Sequence, residues 1–188
     1  MQSKLIEQEI KYTGSELSPH WIYKNFNIQG DAIVAFCGEC DVKITEMVDI
    51  EDVIDNTPIY SQNMLNFIIE HFNTGLVEGV VRQRLFINII REQIFKQLPS
   101  GSKIERYGDD LFFDGKKLSV SIATKSINSV LIHTGLNITS ENAAIEASGL
   151  TSEMGLQNIH SLAKDIIEAY AQECDNMILA STKVRGVL

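Results

Sequence analysis

Apolar and polar positions change their spacing several times along the chain, and each change predicts a different element. AIVAF, from Ala32 to Phe36, is a continuously apolar run of strand length that ends at the turn signal CGEC, so a buried strand is predicted there. A further short strand is expected within CDVKITEMVDIEDVID, ahead of Pro58. From Ser102 to about Ile138 apolar residues alternate with polar ones, which predicts a meander of strands.

Helical spacing is found in three segments. QNMLNFIIEHF carries apolar residues at helical intervals, so an amphipathic helix is predicted there, with Ser61 as its N-cap. A second helix is predicted from Arg82 to Leu98, and a third from Ile159 to Cys174, followed by a short strand near Met177 to Ala180. Because strands and helices follow one another without regular alternation, the expected fold class is α+β: a mixed, mainly antiparallel sheet backed by helices.

Composition narrows the class of protein. The chain has 188 residues, 44% hydrophobic and 22% charged, so it can close a core and avoid long disorder, and we expect one domain over residues 1–188. A formal net charge of -9 opposes unaided binding to nucleic acid or acidic lipid, which needs clustered lysine and arginine. No apolar stretch is long enough for a signal peptide or a membrane-spanning helix, so a cytoplasmic protein is predicted. With three cysteines, an odd number, a disulfide framework is not expected there.

The stretch GDDLFFDGKKLSVSIAT, from Gly108 to Thr124, carries the most specific pattern. Asp114-Gly115 is a favoured pair for a two-residue hairpin turn, because both central positions need positive φ. That turn fixes the register of the two strands and pairs Phe112 with Lys117 and Asp110 with Ser119.

The two faces of this hairpin are expected to differ. One face shares the core through Leu111, Leu118, Val120 and Ile122. The other places Asp110 and Lys117 over a floor of small side chains, namely Ser119, Ser121 and Ala123. Such a floor leaves room for a ligand, and Lys117 would offer its ammonium group to a carboxylate or phosphate. The alternative is an ordinary solvated lysine, which commonly protects a sheet edge from aggregation.

The segment from Arg106 to Thr139 reads RYGDD, LFF, DG, KKLSVSI and later IHTGLN. It resembles the core of the biotin and lipoate protein ligases, which carry KWPND, a short strand, an Asp/Gly turn, KKLAGIL and a later GxGIN. The spacing from Asp110 to Lys117 fits without a gap. The resemblance implies the fold of those ligases, a mixed sheet backed by helices that is shared with class II aminoacyl-tRNA synthetases.

The resemblance also implies roles for residues. Lys117 would bind the substrate carboxylate and the α-phosphate during adenylation as the catalytic residue, Asp110 would help to hold the nucleotide, and Asn137 would lie near the adenylate. The remaining motif positions assigned to cofactor binding are Arg106, Asp109, Ser119, Ser121 and Gly135. The cofactors implied are ATP and Mg²⁺, with Asp109 and Asp110 as oxygen donors to the metal. The partners implied are a small carboxylic acid or nucleotide, an acceptor protein and, as in many such ligases, a second copy in a homodimer.

The sequence also departs from the ligase pattern. The Arg/Gly-rich loop that folds over the adenylate in those enzymes is not found, Asp109 replaces Asn, and Ser119 and Ser121 stand where Ala and Gly are usual. A second hypothesis is therefore a non-catalytic module on the same fold, binding a small molecule or a protein. Over its full length, including HWIYKNFNIQGDAIVAF and QRLFINIIREQ, the chain resembles an uncharacterised, largely archaeal family known only as a domain of unknown function.

Four other features each allow a functional or a purely structural interpretation. CGEC, from Cys37 to Cys40, has the spacing of a redox pair or half a zinc site, but is also an ordinary turn at a strand end. The adjacent Glu70 and His71 suit either acid–base catalysis or a solvated helix face. Arg82 or Arg84 would serve as a phosphate clamp or belong to an exposed helix face. His133 would contact a ligand or be a hydrogen-bonded core residue.

Overall fold

The computed structural model describes residues 1–141 and 146–187. Within these ranges it contains a short 3-10 turn at Ile44–Glu46, eight strands and four α-helices. In chain order the elements are β1 (Gln2–Leu5), α1 (Trp21–Phe26), β2 (Ala32–Val42), α2 (Ile50–Ile54), β3 (Ile59–Phe72), α3 (Leu76–Phe95), β4 (Ile104–Tyr107), β5 (Asp110–Phe113), β6 (Lys116–Lys117), β7 (Ser119–Lys125), β8 (Ser129–Asn137) and α4 (Ile159–Thr182).

The strands form two sheets. The larger has the order β1-β2-β3-β8-β7, and the smaller has the order β4-β5-β6. β1 pairs with β2 in parallel and the other neighbours in both sheets are antiparallel. The prediction of an α+β fold with a mixed, mainly antiparallel sheet is therefore confirmed.

The predicted helix with Ser61 as N-cap is wrong, because that segment is the central strand β3. It lies between β2 and β8, and every residue from Met64 to His71 is buried. A strand covered on both faces needs no polar alternation, so its apolar residues can fall at helical intervals by coincidence. The strand expected within CDVKITEMVDIEDVID is not separate either, because Cys40–Val42 continue β2.

One face of the larger sheet packs against α3 and α4. We call the buried residues between them the helix-side core; its largest members include Ile33, Leu65, Phe67, Phe86, Ile90 and Tyr170. The Phe86 ring stands edge-on to Phe67 at 5.2 Å and to Tyr170 at 4.9 Å between ring centroids, an arrangement that aromatic pairs favour. The short strand predicted near Met177 to Ala180 is wrong, since α4 continues to Thr182.

Buried polar contacts fix the positions of α4 and the N-terminal segment. His71 Nδ1 lies 2.8 Å from Asp31 Oδ2, and His71 Nε2 lies 2.8 Å from the hydroxyl oxygen of Tyr170 on α4. Glu70 accepts hydrogen bonds from the backbone N–H of His20 at 3.0 Å and from Ser129 Oγ at 2.6 Å. Glu70 and His71 therefore act here as connectors between elements, and neither is among the residues that line the cavity described below.

The opposite face of the sheet carries a second cluster, the cavity-side core, whose members include Tyr12, Val34, Phe36, Met64, Ile68 and Leu131. The N-terminal segment and α1 pack on part of it, and Trp21 of α1 lies 6.0 Å from the Phe36 ring. Towards β7 the covering segments leave a cavity. None of the helices in the described ranges combines the length and the apolarity needed to cross a lipid bilayer.

Candidate functional site

The β5–β6 hairpin places an ion pair at the edge of the cavity. Asp114 and Gly115 form its turn with φ of 50° and 77°, and Phe112 pairs with Lys117 as the register predicts. Lys117 Nζ lies 3.0 Å from Asp110 Oδ2, and both side chains are about 30% exposed, at 30% and 29%. Both residues line the cavity, so the expected meeting of this ammonium and this carboxylate on one face is borne out.

The floor of the cavity differs from the expectation. Leu118 packs in the helix-side core, and the next residue, Ser119, is also buried, with its hydroxyl bonded inward to Leu111. The alternation of sides therefore reverses where β6 ends and β7 begins. Val120 and Ile122 consequently face the cavity side and pack against the cavity-side core, whereas Ala123 joins the helix-side core. The expected floor is therefore wrong in its details: Val120 and Ile122 face the cavity and Ala123 lies outside the described lining, whereas Ser119 and Ser121 stay in the lining.

Both serines have inward hydrogen bonds, although their residues touch the cavity. Ser119 Oγ accepts from the backbone N–H of Leu111 at 2.8 Å, which fastens β5 to β7. Ser121 Oγ lies 3.0 Å from Gln83 Nε2 of α3 and 2.9 Å from Thr134 Oγ1. These contacts hold the sheet to the helix.

The cavity has a volume of about 360 Å³, at the lower end of the range for small-molecule sites. Val120, Ile122, His133, Tyr12 and Met64 lie at its floor and sides. Asp110 and Lys117 lie on one side, and residues of the segment 46–52 line it as well. Aliphatic and aromatic side chains beside convergent polar groups are typical of a binding site for a small organic molecule.

His133 lies in the floor as a neutral, stacked ring. It is 4% exposed and stacks on Tyr12 with the ring centroids 3.7 Å apart. Its Nε2 lies 3.0 Å from Asn66 Oδ1, and because the Asn66 amide nitrogen donates to the Met64 carbonyl, Oδ1 accepts and Nε2 carries the proton. Burial lowers the pKa of His133 to about 3. Nδ1 is then a hydrogen-bond acceptor, and no described residue donates to it. The expectation of a hydrogen-bonded core histidine is confirmed, and contact with a ligand stays a prediction, although the ring also lines the cavity.

Asp109 joins the ion pair to α3. Its Oδ1 lies 3.0 Å from a guanidinium nitrogen of Arg84, and its Oδ2 accepts a 2.9 Å hydrogen bond from Gln83 Nε2. Burial raises the pKa of Asp109, partly offset by Arg84, and the neighbouring Asp110 raises it further. Arg84 is therefore engaged by a carboxylate, and Arg82 likewise pairs with Glu78 one turn away on α3.

The segment 46–52 makes the cavity acidic. Asp49 caps α2 by accepting from the backbone N–H of Glu51 at 2.8 Å, which leads the chain into the helix. Burial and the nearby Asp49 raise the pKa of Asp52, and both Lys117 and Asp110 act on it electrostatically. Asp52 is thus close enough to the Asp110–Lys117 pair to share one local field. No described residue lies within hydrogen-bonding distance of its carboxylate.

The other predicted residues lie at different distances from the cavity. Asn137 lines it, and its backbone N–H donates to the Leu118 carbonyl at 3.0 Å. Gly135 lies beneath Met64, where an added Cβ would come 2.2 Å from the Met64 sulfur. Arg106 is exposed on β4, donates to the Gly108 carbonyl at 2.5 Å and is not among the described lining residues.

A metal centre finds little support in the described part of the chain. There, no three side chains of histidine, cysteine, aspartate or glutamate come together as a metal site. Cys37 and Cys40 are free thiols within β2, and burial raises the pKa of both, to about 12 for Cys40. Raised thiol pKa values leave little thiolate, which is the form that a redox pair or zinc site needs.

Sequence reasoning missed two parts of the cavity. Tyr12 is far from the hairpin in sequence and reaches His133 only through the fold. The acidic residues of the segment 46–52 were concealed by the expected strand, although ending β2 at Val42 and recognising Asp49 as an N-cap would have placed a short helix there.

Comparison with known proteins identifies the family. Residues 1–185 match the family described as Domain of unknown function (DUF366). The chain belongs to the DUF366 family. An uncharacterized protein of Methanocaldococcus jannaschii is 37% identical over 178 residues, which cover 92% of this chain and 79% of that protein. A solved structure of a protein of unknown function from Pyrococcus horikoshi is 35% identical, with 100% of this chain and 99% of that chain covered, and superposes with a TM-score of 0.90.

Ligases are more distant neighbours of this DUF366 protein. A lipoate protein ligase homologue from T. acidophilum with bound lipoic acid has a TM-score of 0.61 at 13% identity, covering 93% of this chain and 86% of that one. Biotin protein ligase from Aquifex aeolicus in complex with biotin and ATP has a TM-score of 0.55 at 14% identity, covering 90% and 69%. The fold is therefore that of the biotin and lipoate protein ligases, as the hairpin motif implied, and at these identities the likeness concerns the fold alone.

Proposed function

We propose that the cavity binds a small carboxylic acid, with its carboxylate against Lys117 and its apolar part over Val120 and Ile122. One observation carries the proposal: a partly exposed ammonium group, 3.0 Å from Asp110, lines a cavity that Val120 and Ile122 also line. An ammonium held by a carboxylate is already oriented, so little conformational entropy is lost when a ligand arrives. The two ligase neighbours, bound to lipoic acid and to biotin, support a carboxylic acid as the ligand class.

ATP and Mg²⁺ fit the described cavity less well than an acid does. A triphosphate needs several cations, yet the described lining contains one ammonium, that of Lys117, and six carboxylic acids. Both oxygens of Asp109 and one of Asp110 are also engaged by protein groups, which leaves few ligands for the metal. We therefore propose acid binding as the function, and adenylation with acyl transfer to an acceptor protein stays a prediction to be tested beside it.

Isothermal titration with lipoic acid, biotin and caproic acid tests the proposal. At least one of these acids should bind, and Lys117→Met should weaken its binding about tenfold or more, the typical value of a hydrogen bond to a charged group. Lys116→Met is the matched control, because Lys116 precedes Lys117 in the same strand but is exposed and outside the described lining. Equal losses in the two variants, or no binding by any acid, would overturn the assignment of Lys117.

Pyrophosphate exchange separates the enzymatic hypothesis from the binding module. With ATP, Mg²⁺ and an acid that binds, a carboxylate-adenylating enzyme exchanges labelled pyrophosphate into ATP, and Lys117→Met should abolish the exchange. A protein that only binds the acid gives no exchange above the level without protein. The predicted homodimer is a separate property, and light scattering on the purified chain measures it.

A further inference from the structure

We propose that the ligand is zwitterionic, bearing an ammonium group as well as the carboxylate, and that Asp52 binds this ammonium within the same cavity. The inference rests on the proposed function, because the carboxylate end of the ligand is assigned to Lys117. It narrows the ligand from a small acid to an amino acid or a similar amine-bearing acid.

The first reason is the balance of charge. The described lining contains the carboxylic acids of Glu46, Asp49, Glu51, Asp52, Asp109 and Asp110. The ammonium of Lys117 is balanced by Asp110, and Arg84 balances Asp109 from the α3 side. The other four acidic residues belong to the lining without a cation of the described lining to balance them, so a plain carboxylate entering the cavity is repelled from their side while Lys117 attracts it from the other.

The second reason is the state of Asp52. It is half-buried on α2, and no described residue lies within hydrogen-bonding distance of its carboxylate. Its neighbour Asp49 differs, since that side chain is engaged in capping the helix. Burial and Asp49 raise the pKa of Asp52, which means that its ionised form lacks a compensating charge. A ligand ammonium would supply both that charge and the hydrogen-bond donors.

The third reason is His133. The side chain is 4% exposed, its Nε2 donates to Asn66, and its Nδ1 is an acceptor without a donor among the described residues. His133 lines the cavity, so a molecule within it is positioned to supply the donor that Nδ1 lacks. An ammonium group has three donors and no acceptor, which suits a site whose unpaired groups, Asp52 and His133 Nδ1, both accept. A carboxylate offers neither of them a donor.

Four ligands with the same six-carbon chain test the proposal by isothermal titration: caproic acid, norleucine, ε-aminocaproic acid and hexylamine. They differ only in carrying the acid alone, the acid with a near or a distant amine, or the amine alone. We expect norleucine or ε-aminocaproic acid to bind about tenfold more tightly than caproic acid. Asp52→Asn should remove that advantage and at the same time strengthen the binding of caproic acid, because a repelling charge is lost.

Asp55→Asn is the matched control. Asp55 follows the same helix, is exposed and lies outside the described lining, so this variant removes the same charge nearby without touching the cavity. Its effect on the preference for the amine should be smaller than about threefold, because an exposed charge is screened by solvent. A thermal melt of each variant verifies that it is folded. A preference for the amine that persists in Asp52→Asn, or that Asp55→Asn removes equally, would overturn the role of Asp52.

The outcomes separate this inference from the proposed function. If caproic acid, lipoic acid or biotin binds through Lys117 and neither amino acid binds more tightly than caproic acid, the proposed function stands and the zwitterion is rejected. If hexylamine binds as tightly as the amino acids and Lys117→Met changes nothing, the carboxylate assignment is wrong and the zwitterion fails with it. If no ligand of either set binds, both proposals are rejected.

Discussion

Mild acid should destabilise this protein through His133. The ring is buried and neutral, with a pKa lowered from 6.5 to about 3. The unfolded chain therefore binds a proton near pH 6.5, whereas the folded chain does not bind it until near pH 3. The stability that depends on the neutral ring is present above pH 6.5 and is lost as the pH falls from 6.5 towards 3. The phenol of Tyr12, on which the ring stacks, offers no negative charge to offset this, because burial raises its pKa as well.

The size of the effect follows from the two pKa values. Between pH 7 and pH 5 the protonated fraction of this site in the unfolded state rises from about a quarter to nearly one, while the folded state stays unprotonated. Integrated over this range, the free energy of unfolding should fall by about 2 kcal/mol on account of His133 alone. For a protein of ordinary stability, about 5–15 kcal/mol, that is a readily measured fraction. Most carboxylates are still ionised at pH 5, so between pH 7 and pH 5 histidines contribute more than carboxylates to the change in unfolding free energy.

His133→Gln isolates the contribution. Its amide can still donate to Asn66, it has no titratable group, and the lost stacking on Tyr12 lowers stability by an amount that does not depend on pH. Urea unfolding of both proteins at pH 7, 6 and 5 should give curves that converge, with the wild type losing about 2 kcal/mol more than the variant over the range. Parallel curves would mean that His133 titrates normally in the folded protein, and the argument for a neutral Nδ1 acceptor in the cavity would fail with it.

Three further changes test the packing around the site. Tyr170→Phe removes the hydroxyl that lies 2.8 Å from His71 Nε2 and should lower the free energy of unfolding by about 1–2 kcal/mol in urea titration, an unchanged midpoint contradicting the contact. Gly135→Ala puts a Cβ 2.2 Å from the Met64 sulfur and should push that side chain towards the cavity, at a cost of about 1 kcal/mol with weaker acid binding by calorimetry, whereas unchanged binding would mean that the thioether moves elsewhere. Gly115→Ala meets no atom within 4 Å but has φ of 77°, so it should lower stability by about 1 kcal/mol through backbone strain and leave acid binding intact.

The sequence contained enough information for those parts of the fold that depend on neighbouring residues. The Asp114-Gly115 turn determines its own register, so the meeting of Asp110 and Lys117 could be predicted without knowing what surrounds them. The second half of α3 was predictable for the same reason, because its apolar residues repeat at helical intervals along an element that is covered on one side.

Parts that depend on distant residues were not predictable in this way. β3 is covered on both faces. Where neither face is polar, the spacing of apolar residues does not distinguish a strand from a helix. The reversal at Leu118 arises where β6 leaves the small sheet and β7 joins the large one, and nothing in KKLSVSI marks that point. The acidic side of the cavity depends on Asp49 and Asp52 being brought to the hairpin by the fold.

The junction at Leu118 also has an evolutionary consequence. Before Leu118, the hairpin turn sets the register of β5 and β6. After it, pairing with β8 sets the register of β7, so the two registers meet at this junction. Gain or loss of one residue there would turn β7 over, exchanging Val120 and Ile122 for Ser119 and Ser121 beneath a bound molecule while Lys117 stays in place. Related proteins could thus differ in whether aliphatic or hydroxyl side chains contact the ligand, through the insertion or deletion of a single codon.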